Sequence, residues 1–418
     1  MDRNLFQQRR SDYIANKNIQ KKNISIFNQL QDTQYIVPAD NMSLIGKAVN
    51  FGCSKALELL TRYGISVNDL AEYLDSSPEI IQNIIRANFH ADLILIDGED
   101  ATLLSEENIR QSRSNAVEVC NARKNYSSLI YYRPSGIDIE YCIDDVVDVL
   151  EGINVTGAGV YPLDGIIYPK VESVQEIRII LDLITEIEKK KNISPDTIKI
   201  QFLVESPGGI EFLYEIAKAC EGRLTGIIFG MADYASEIGI SSLDENHPMF
   251  QFAKQRIIHA ASIFQVPAID CMSFNYPVAD KTIQDVHQNR KLILESMRDL
   301  HDLYISSIHM GMSGKWVGHP LQLLAAKIAV EKIFTQETIN SHLQSMLKYA
   351  DSGSGAMVVD GKMADRATDR SIRSFLRKGV IKGKINPDIA LQSGLISQAE
   401  FDIIVNRGRR DSNPRLPA

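Results

Sequence analysis

Short apolar runs recur along the chain, and most are separated by longer segments with helical periodicity. The runs that we predict as strands are QYIV (34–37), DLILI (92–96), SLIYY (128–132), GIIYP (165–169), IKIQFLV (198–204), TGIIF (225–229), AID (268–270) and YISSIH (304–309). They are apolar throughout instead of alternating with polar residues, which is typical of parallel strands covered on both faces. Eight such runs separated by helices favour an α/β fold, a (β/α)8 TIM barrel; a doubly wound open sheet is the alternative.

The intervening helices show best at residues 174–191, where the apolar residues form one stripe at helical spacing. Residues 54–89 are too long for one crossover helix, and they predict a helical insertion after strand 1. Within them, residues 66–86 predict two short helices around a Ser-Ser-Pro turn. That rhythm resembles a helix-turn-helix, but the segment carries four acidic residues and one arginine. No nucleic acid is therefore expected as a partner.

The remaining organisation follows from these elements. We predict a polar N-terminal arm (1–30), a barrel domain (31–325) and a C-terminal helical extension (326–418) that ends in a flexible basic tail. The N-terminal arm has basic residues without an apolar core, unlike a secretory signal. No run approaches the roughly 18 apolar residues of a membrane span, so no membrane association is expected.

Composition adds two limits. The formal net charge of −8 argues against a phosphate backbone as the main partner, although a local site can still hold an anion. The five cysteines are widely spaced and form no CxxC motif, which favours neither a disulfide framework nor a zinc site. A reducing, cytoplasmic location is therefore expected.

Charged residues follow the predicted strands where a barrel carries its active site, at the carboxyl ends. They are Asp97, Glu99 and Asp100 after the second strand, Arg133 after the third, Lys170 after the fourth, Glu205 after the fifth and Asp233 after the sixth. Carboxylates at several strand ends, with cations between them, predict a site for Mg²⁺ or Mn²⁺ that holds an anionic substrate. Lys170 is expected to form structural ion pairs, and Asp97 to serve the turn.

The glycine-rich stretch SPGG (206–209) would open a helix after strand five. Backbone N–H groups at the positive end of that helix could hold a substrate carboxylate. Ser206, Gly208 and Gly209 are therefore candidate substrate-binding residues.

Six motifs in order resemble one known family. LIDGEDA, PKVE, VESPGG, FGMADYASEIG, QRIIHAASIFQVPAID and GKWVGHPLQ are similar to the citrate lyase β-subunit and malyl-CoA lyase members of the HpcH/HpaI aldolase family. The resemblance covers roughly residues 34–370. It implies a Mg²⁺-dependent carbon–carbon lyase or aldolase that cleaves or forms a 3-hydroxyacyl thioester or hydroxy acid through an enolate. The partner would be an α-keto acid of the glyoxylate, pyruvate or oxaloacetate type.

The resemblance also implies roles for single residues. Glu205 and Asp233 correspond to metal ligands, and Arg133 to the arginine that binds the substrate carboxylate. Glu99 and Asp100 correspond to groups that hold metal-bound water. DGKMAD (360–365) is similar to a family motif whose aspartate acts as acid or base in a neighbouring subunit; Asp365 is then the catalytic candidate, and a homo-oligomer, a trimer or hexamer, is expected.

Three positions depart from the family pattern. Asn41 and Met42 stand where an arginine associated with coenzyme A phosphates is expected, although Lys47 is retained as a candidate substrate-binding residue. The substrate is thus left open between a coenzyme A thioester, another acyl thioester and a free hydroxy acid. Gly98 replaces a leucine and is expected to leave room in the site. Alternative functions are a thioester hydrolase or synthase, or a non-catalytic accessory barrel.

Overall fold

The computed structural model describes residues 7–12, 29–100, 105–124, 128–351, 356–359 and 362–410. Most of the predicted N-terminal arm, the glycine- and serine-rich segment at 352–355 and the end of the predicted basic tail at 411–418 lie outside these residues. Within the described part of the chain, no helix is both long and apolar enough to cross a membrane.

Eight parallel strands close into a barrel in chain order, so the TIM-barrel prediction is confirmed. They are β1 (Thr33–Pro38), β2 (Leu93–Asp97), β3 (Leu129–Arg133), β4 (Gly165–Tyr168), β5 (Lys199–Val204), β6 (Leu224–Phe229), β7 (Ala268–Asp270) and β8 (Gly314–Val317). An antiparallel hairpin follows far along the chain, formed by β9 (Ala356–Val359) and β10 (Lys362–Asp365). Seven of the eight predicted strand runs coincide with observed barrel strands.

The eighth predicted strand is wrong. Residues 304–309 belong to a helix of 25 residues, Val286–Met310, in which Tyr304 and Ser307 are buried three positions apart on one face. The observed β8 is GKWV, which pairs with β1 and closes the barrel. Its buried lysine, Lys315, makes the segment look polar, and a run of four residues with one charge carries little strand signal.

The helices are described from the N-terminal segment onwards. They are α1 (residues 7–12), α2 (Met42–Asn50), α3 (Ser54–Arg62), α4 (Val67–Tyr73), α5 (Pro78–Arg86), α6 (Glu106–Asn121), α7 (Cys142–Gly152), α8 (Val174–Lys191), α9 (Pro207–Glu211), α10 (Leu213–Ala219), α11 (Met231–Glu237), α12 (Pro248–Phe264), α13 (Val286–Met310), α14 (Pro320–Ile333), α15 (Gln336–Asp351), α16 (Arg366–Ile381), α17 (Pro387–Gln392) and α18 (Gln398–Arg410). The predicted helix at 174–191 matches α8, which ends in three lysines at the negative end of its dipole.

Two large apolar clusters surround the barrel. The first lies between the outer face of the strands and helices such as α7, α8 and α12. The second joins the insertion helices α3–α5 to α13, α14 and the C-terminal helices, and it includes Leu60, Ile81, Met297, Leu324 and Leu376. The predicted helical insertion and C-terminal extension are therefore both present, and they pack together on one side of the barrel. The predicted boundary after residue 325 falls inside α14.

The inside of the barrel holds a smaller cluster. Its inward-facing buried side chains are Leu93, Leu95, Tyr131, Ile167, Leu203, Ile228, Ile269 and Trp316. Because side chains alternate between the two faces of a strand, the next inward positions on β2 and β3 are Asp97 and Arg133, at the carboxyl ends. The barrel thus presents charged groups directly above an apolar filling.

Candidate active site

The register of β2 and β3 brings two charged side chains together. Asp97 and Arg133 are paired residues at the carboxyl ends of these strands. The guanidinium holds the carboxylate with two bonds, from Nε to Oδ1 at 2.6 Å and from Nη2 to Oδ2 at 2.6 Å. Both side chains are buried. The prediction that Asp97 serves the turn is confirmed, because its carboxylate accepts the N–H of Glu99; its pairing with Arg133 was not predicted.

The other edge of Arg133 faces two further carboxylates. Nη1 lies 3.0 Å from Glu99 Oε2 and 3.3 Å from Asp100 Oδ2. Glu99 is 7% exposed, and burial raises its pKa to about 7 although Arg133 opposes that shift. Asp100 is far more exposed, and Arg133 and Lys170 lower its pKa against the effect of its partial burial. The two neighbouring acids therefore differ in proton affinity, because only one of them is buried.

Glu205 is another deeply buried acid of this group. It follows β5, is 2% exposed, and its Oε1 accepts the backbone N–H of Lys170 at 2.8 Å. Among the described residues, no lysine or arginine forms an ion pair with it. Burial, with the charge of Glu99 second, raises the pKa of Glu205 to about 8. A side chain on Gly230 would place Cβ 2.3 Å from Glu205 Oε2, so the glycine after β6 makes room for this carboxylate.

Lys170 is the second cation of the site. Its Nζ lies 2.7 Å from Glu99 Oε1, 3.1 Å from Asp100 Oδ1 and 3.7 Å from Asp233 Oδ1. The predicted ion pairs are confirmed. Its backbone is left-handed, with φ of 49°, a conformation that non-glycine residues rarely adopt outside turns and functional sites. The bond from its N–H to Glu205 helps to hold this conformation.

We call this group the carboxylate mouth. It comprises the acids Asp97, Glu99, Asp100, Glu205 and Asp233 and the cations Arg133 and Lys170. The prediction that these strand ends converge is confirmed. Oxygen donors of this kind suit Mg²⁺, and Glu205 is a buried carboxylate that lacks a cationic side-chain partner. The residues therefore fit a divalent cation held by Glu205 and Asp233.

The predicted substrate-binding residues outside the mouth have different surroundings. Ser206 caps α9, and its Oγ accepts the N–H of Gly209 at 3.0 Å. That N–H is thus committed to the cap, and α9 has only five residues, so the helix end that was expected to hold a carboxylate is short. Gly208 lies against Glu172, and Lys47 is exposed on α2. A substrate role for Ser206, Gly208, Gly209 and Lys47 stays a prediction.

Asp365 begins α16 in this single chain. One of its carboxylate oxygens accepts the N–H groups of Ala367 and Thr368, both at 2.9 Å, and the Thr368 hydroxyl at 3.1 Å. The bonds from Thr368 and Ala367 lower the pKa of Asp365. This is a helix N-cap. Its predicted role as an acid or base supplied to another subunit stays a prediction.

The interpretation of Gly98 was wrong. A Cβ at this position would lie 2.6 Å from the hydroxyl oxygen of Tyr132 and 2.9 Å from the carbonyl oxygen of Arg133. Tyr132 is fully buried, so its ring fills the volume that a larger residue at position 98 would need. The glycine thus allows close packing and leaves no extra room for substrate.

A second charged cluster, built on β7 and β8, was not predicted as a site. Lys315 Nζ lies 2.9 Å from Glu245 and 3.0 Å from Asp270, while Lys254 Nζ contacts the same two acids at 3.1 and 2.9 Å. All four are buried. Glu245, Asp270 and Cys271 are close enough to share a metal ion. Two lysines already neutralise the two acids, however, so this cluster is a structural network.

Comparison with known proteins places the chain in a family. Residues 73–298 match the family model HpcH/HpaI aldolase/citrate lyase. An L-malyl-CoA/beta-methylmalyl-CoA lyase from Haloarcula marismortui is 26% identical over 217 residues, which are 51% of this chain and 60% of that protein. A protein of the same name from Cereibacter sphaeroides is 27% identical over 301 residues, which are 69% of this chain and 87% of that protein.

A solved structure supports the fold. Protein CitE from Mycobacterium tuberculosis, in complex with magnesium, acetoacetate and coenzyme A, superposes with a TM-score of 0.55 at 18% identity, covering 84% of this chain and 98% of that one. The matched family model spans more than half of the chain and includes the residues of the mouth from Asp97 to Asp233. The chain belongs to the HpcH/HpaI aldolase/citrate lyase family and is a carbon–carbon lyase.

Proposed function

We propose that the protein is a Mg²⁺-dependent lyase that cleaves a 3-hydroxyacyl coenzyme A thioester into an acyl thioester and an α-keto acid. The observation that carries the metal dependence is Glu205, a buried carboxylate beside Asp233 that has no cationic side-chain partner among the described residues. The thioester is supported by the names of the relatives, and magnesium and coenzyme A by the solved CitE complex. Mn²⁺ is expected to substitute, since it accepts the same oxygen ligands.

Glu205 and Asp233 would hold the divalent ion. When bound, such an ion supplies Lewis-acid polarisation of the carbonyl oxygen at which charge develops. Arg133 would bind the carboxylate of the keto acid. Asp97 occupies the Nε and Nη2 edge of the guanidinium, and the longer contacts at Nη1 are those that a substrate carboxylate can exchange.

Glu99 and Asp100 would accept hydrogen bonds from water molecules bound to the ion. The proton that moves between substrate and solvent needs a carboxylate at the reacting carbon or hydroxyl. We propose Asp365 of a neighbouring subunit for this transfer. In that arrangement the face that carries the start of α16 meets another subunit's mouth, which requires a homo-oligomer such as a trimer or hexamer.

The test is a retro-aldol assay with malyl-CoA, citramalyl-CoA and citryl-CoA, each with Mg²⁺, with Mn²⁺ and with a chelator. Release of glyoxylate, pyruvate or oxaloacetate is measured as the phenylhydrazone. We expect activity with at least one thioester, and its loss in Glu205→Gln and Asp233→Asn. Glu237→Gln is the matched control, because it removes an exposed carboxylate one turn after Asp233 on α11.

The products distinguish the alternatives. Release of free coenzyme A without a keto acid identifies a thioester hydrolase. Consumption of a keto acid and an acyl thioester with release of free coenzyme A identifies a synthase, because a lyase running in reverse keeps the thioester. If no keto acid is released from any of the three thioesters or from free hydroxy-keto acids, the lyase proposal is refuted.

A further inference from the structure

Trp316, the only tryptophan of the chain, lies in the barrel directly beneath the carboxylate mouth. It is 7% exposed and points inward from β8 among the interior apolar side chains. The guanidinium carbon of Arg133 lies 5.6 Å from the centre of its ring. This distance is within the range of a cation–π interaction, and both partners are buried, where such a contact is strongest.

The indole ring of Trp316 is held by a glutamine on the neighbouring strand. Gln34 pairs with Trp316 in the β1–β8 register, and its Oε1 accepts the indole N–H at 2.7 Å. Because the indole nitrogen only donates, the oxygen of Gln34 must face the ring. The Gln34 amide nitrogen then donates to Gln31 Oε1 at 2.7 Å and to Gln201 Oε1 at 2.9 Å.

The three glutamines hold one another in a single arrangement. Gln201 Nε2 donates to Gln31 Oε1 at 2.9 Å, and Gln31 Nε2 donates to the carbonyl oxygen of Thr225 at 3.0 Å. All three side chains have no exposed surface. A buried polar network that is fully satisfied rigidifies its surroundings, whereas apolar side chains would fill the same space without fixing an orientation. The network therefore orients the indole ring.

We propose that Trp316 is a positioning residue for Arg133. The ring, held by Gln34, supports one face of the guanidinium while Asp97 holds its Nε and Nη2 edge. Arg133 is thereby kept in the plane that presents its remaining edge to the mouth. The consequence for substrate, that the keto-acid carboxylate meets a preset guanidinium, rests on the proposed function.

The first arm of the test needs no substrate. In the ¹⁵N–¹H spectrum of arginine-labelled protein, the Arg133 Nε–H signal is identified by its absence in Arg133→Lys. The ring current of Trp316 is expected to shift this signal. Trp316→Phe should move it partly, Trp316→Leu further, and Gln34→Met should also move it although that residue does not contact Arg133.

Tyr161→Phe is the control for this arm. It removes a buried hydroxyl that donates to the carbonyl oxygen of Leu150 at 2.7 Å, and Tyr161 belongs to the apolar cluster outside the barrel wall, not to the interior cluster of Trp316. We expect the Arg133 signal to stay in place in this variant. An equal displacement in Tyr161→Phe and Gln34→Met would show a general packing effect and overturn the proposal.

The second arm measures glyoxylate binding to the Mg²⁺-loaded protein by calorimetry. Loss of the ring in Trp316→Leu should weaken binding about tenfold, and Trp316→Phe, which keeps a π face, by less than about threefold. Affinity for Mg²⁺ alone should not change, because both Trp316 variants leave the charges of Glu205, Asp233 and Arg133 in place. Trp316→Phe keeps the test valid if Trp316→Leu does not fold.

The two arms separate failure of this proposal from failure of the proposed function. If wild-type protein binds none of glyoxylate, pyruvate and oxaloacetate with Mg²⁺, the keto-acid assignment fails, and the spectrum of the metal-free protein still decides the role of Trp316. If the Arg133 signal is unchanged in Gln34→Met and in both Trp316 variants, Trp316 only fills space in the barrel interior, and the positioning role is refuted.

Discussion

The replacement of Glu205 by glutamine should stabilise the metal-free protein and abolish its response to Mg²⁺. Burial raises the pKa of Glu205 in the folded chain to about 8, whereas in the unfolded chain a glutamate titrates near its ordinary value. A raised pKa means that the folded state binds the proton more tightly. The stabilising contribution of Glu205 is complete at pH values below its pKa in the unfolded chain. It is lost progressively as the pH rises towards its pKa in the folded chain.

The size of the effect follows from the pKa difference. One pKa unit corresponds to about 1.4 kcal/mol. The raised pKa of Glu205 therefore lowers the free energy of unfolding by roughly 1 kcal/mol at pH 5, roughly 3 kcal/mol at pH 7 and roughly 4–5 kcal/mol at pH 8.5, relative to a glutamate with an ordinary pKa. Glutamine does not ionise, so Glu205→Gln should escape this cost. For a chain of 418 residues, an unfolding entropy of about 0.9 kcal/mol/K converts these values to about 1 °C at pH 5 and about 5 °C at pH 8.5.

The assay is thermal unfolding of wild type, Glu205→Gln and the exposed control Glu237→Gln, between pH 5 and 8.5, with EDTA or with Mg²⁺. In EDTA, the advantage of Glu205→Gln should grow with pH, and the control should follow wild type. With Mg²⁺ at about 100 times its dissociation constant, wild type should gain about 2.7 kcal/mol, and Glu205→Gln should gain nothing. The metal should therefore reduce or reverse the difference in stability between the two proteins.

Two results would refute this reasoning. If Glu205→Gln is no more stable than wild type in EDTA at pH 8.5, the buried carboxylate is already compensated by groups of the protein. If Mg²⁺ stabilises both proteins equally, the ion binds elsewhere and Glu205 is not a ligand. Glu99 titrates in the same direction, with a pKa of about 7, and is present in both proteins, so only the part of its titration that depends on the charge of Glu205 enters the comparison.

Three further predictions concern the groups around Glu205. Asp97→Asn should destabilise the fold by about 3–5 kcal/mol in urea denaturation, because it leaves buried Arg133 without its main partner; an unchanged midpoint would contradict this. Lys170→Met should tighten Mg²⁺ binding about tenfold in calorimetry, because it removes a competing positive charge from a half-exposed site. Lys170→Arg keeps the charge and should not tighten binding. Weaker binding in Lys170→Met would contradict this prediction. Gly98→Ala should cost about 2 kcal/mol through its clash with Tyr132, and Tyr132→Phe should restore part of that loss; full stability of Gly98→Ala alone would disprove the packing explanation.

The hydrophobic pattern predicted the barrel because parallel strands covered on both faces are apolar throughout. The pattern did not predict the strand that carries a buried charge. Lys315 in β8 is neutralised by Asp270 and Glu245, which come from distant parts of the chain, and no local pattern reveals that compensation. The apolar residues of the segment 304–309 predicted a strand, but Tyr304 and Ser307 lie on one face of a long helix.

For the site, the strand ends were sufficient to bring Glu205, Asp233 and Arg133 together, because a closed barrel gathers its carboxyl ends at one place. The contacts within the site were not accessible in this way. The pairing of Asp97 with Arg133 depends on strand register, and the volume at Gly98 depends on the ring of Tyr132. Register and packing are set by the whole barrel, so a reading of separate motifs cannot supply them.

The charges of the carboxylate mouth link stability, pH and metal. Five acids face two cations, so full ionisation leaves three negative charges unbalanced among the described residues. In the metal-free protein, burial raises the pKa of Glu99 to about 7 and that of Glu205 to about 8, and the protons that they bind near neutral pH reduce this excess. A divalent cation would balance two of the three charges, and those protons would then be released. Metal affinity should therefore rise with pH through the range in which Glu205 titrates. Proton release on Mg²⁺ binding, measured by calorimetry in buffers of different ionisation enthalpy, should lie between one and two protons near pH 7 and should be unchanged in the control Glu237→Gln; binding without proton release would contradict this coupling.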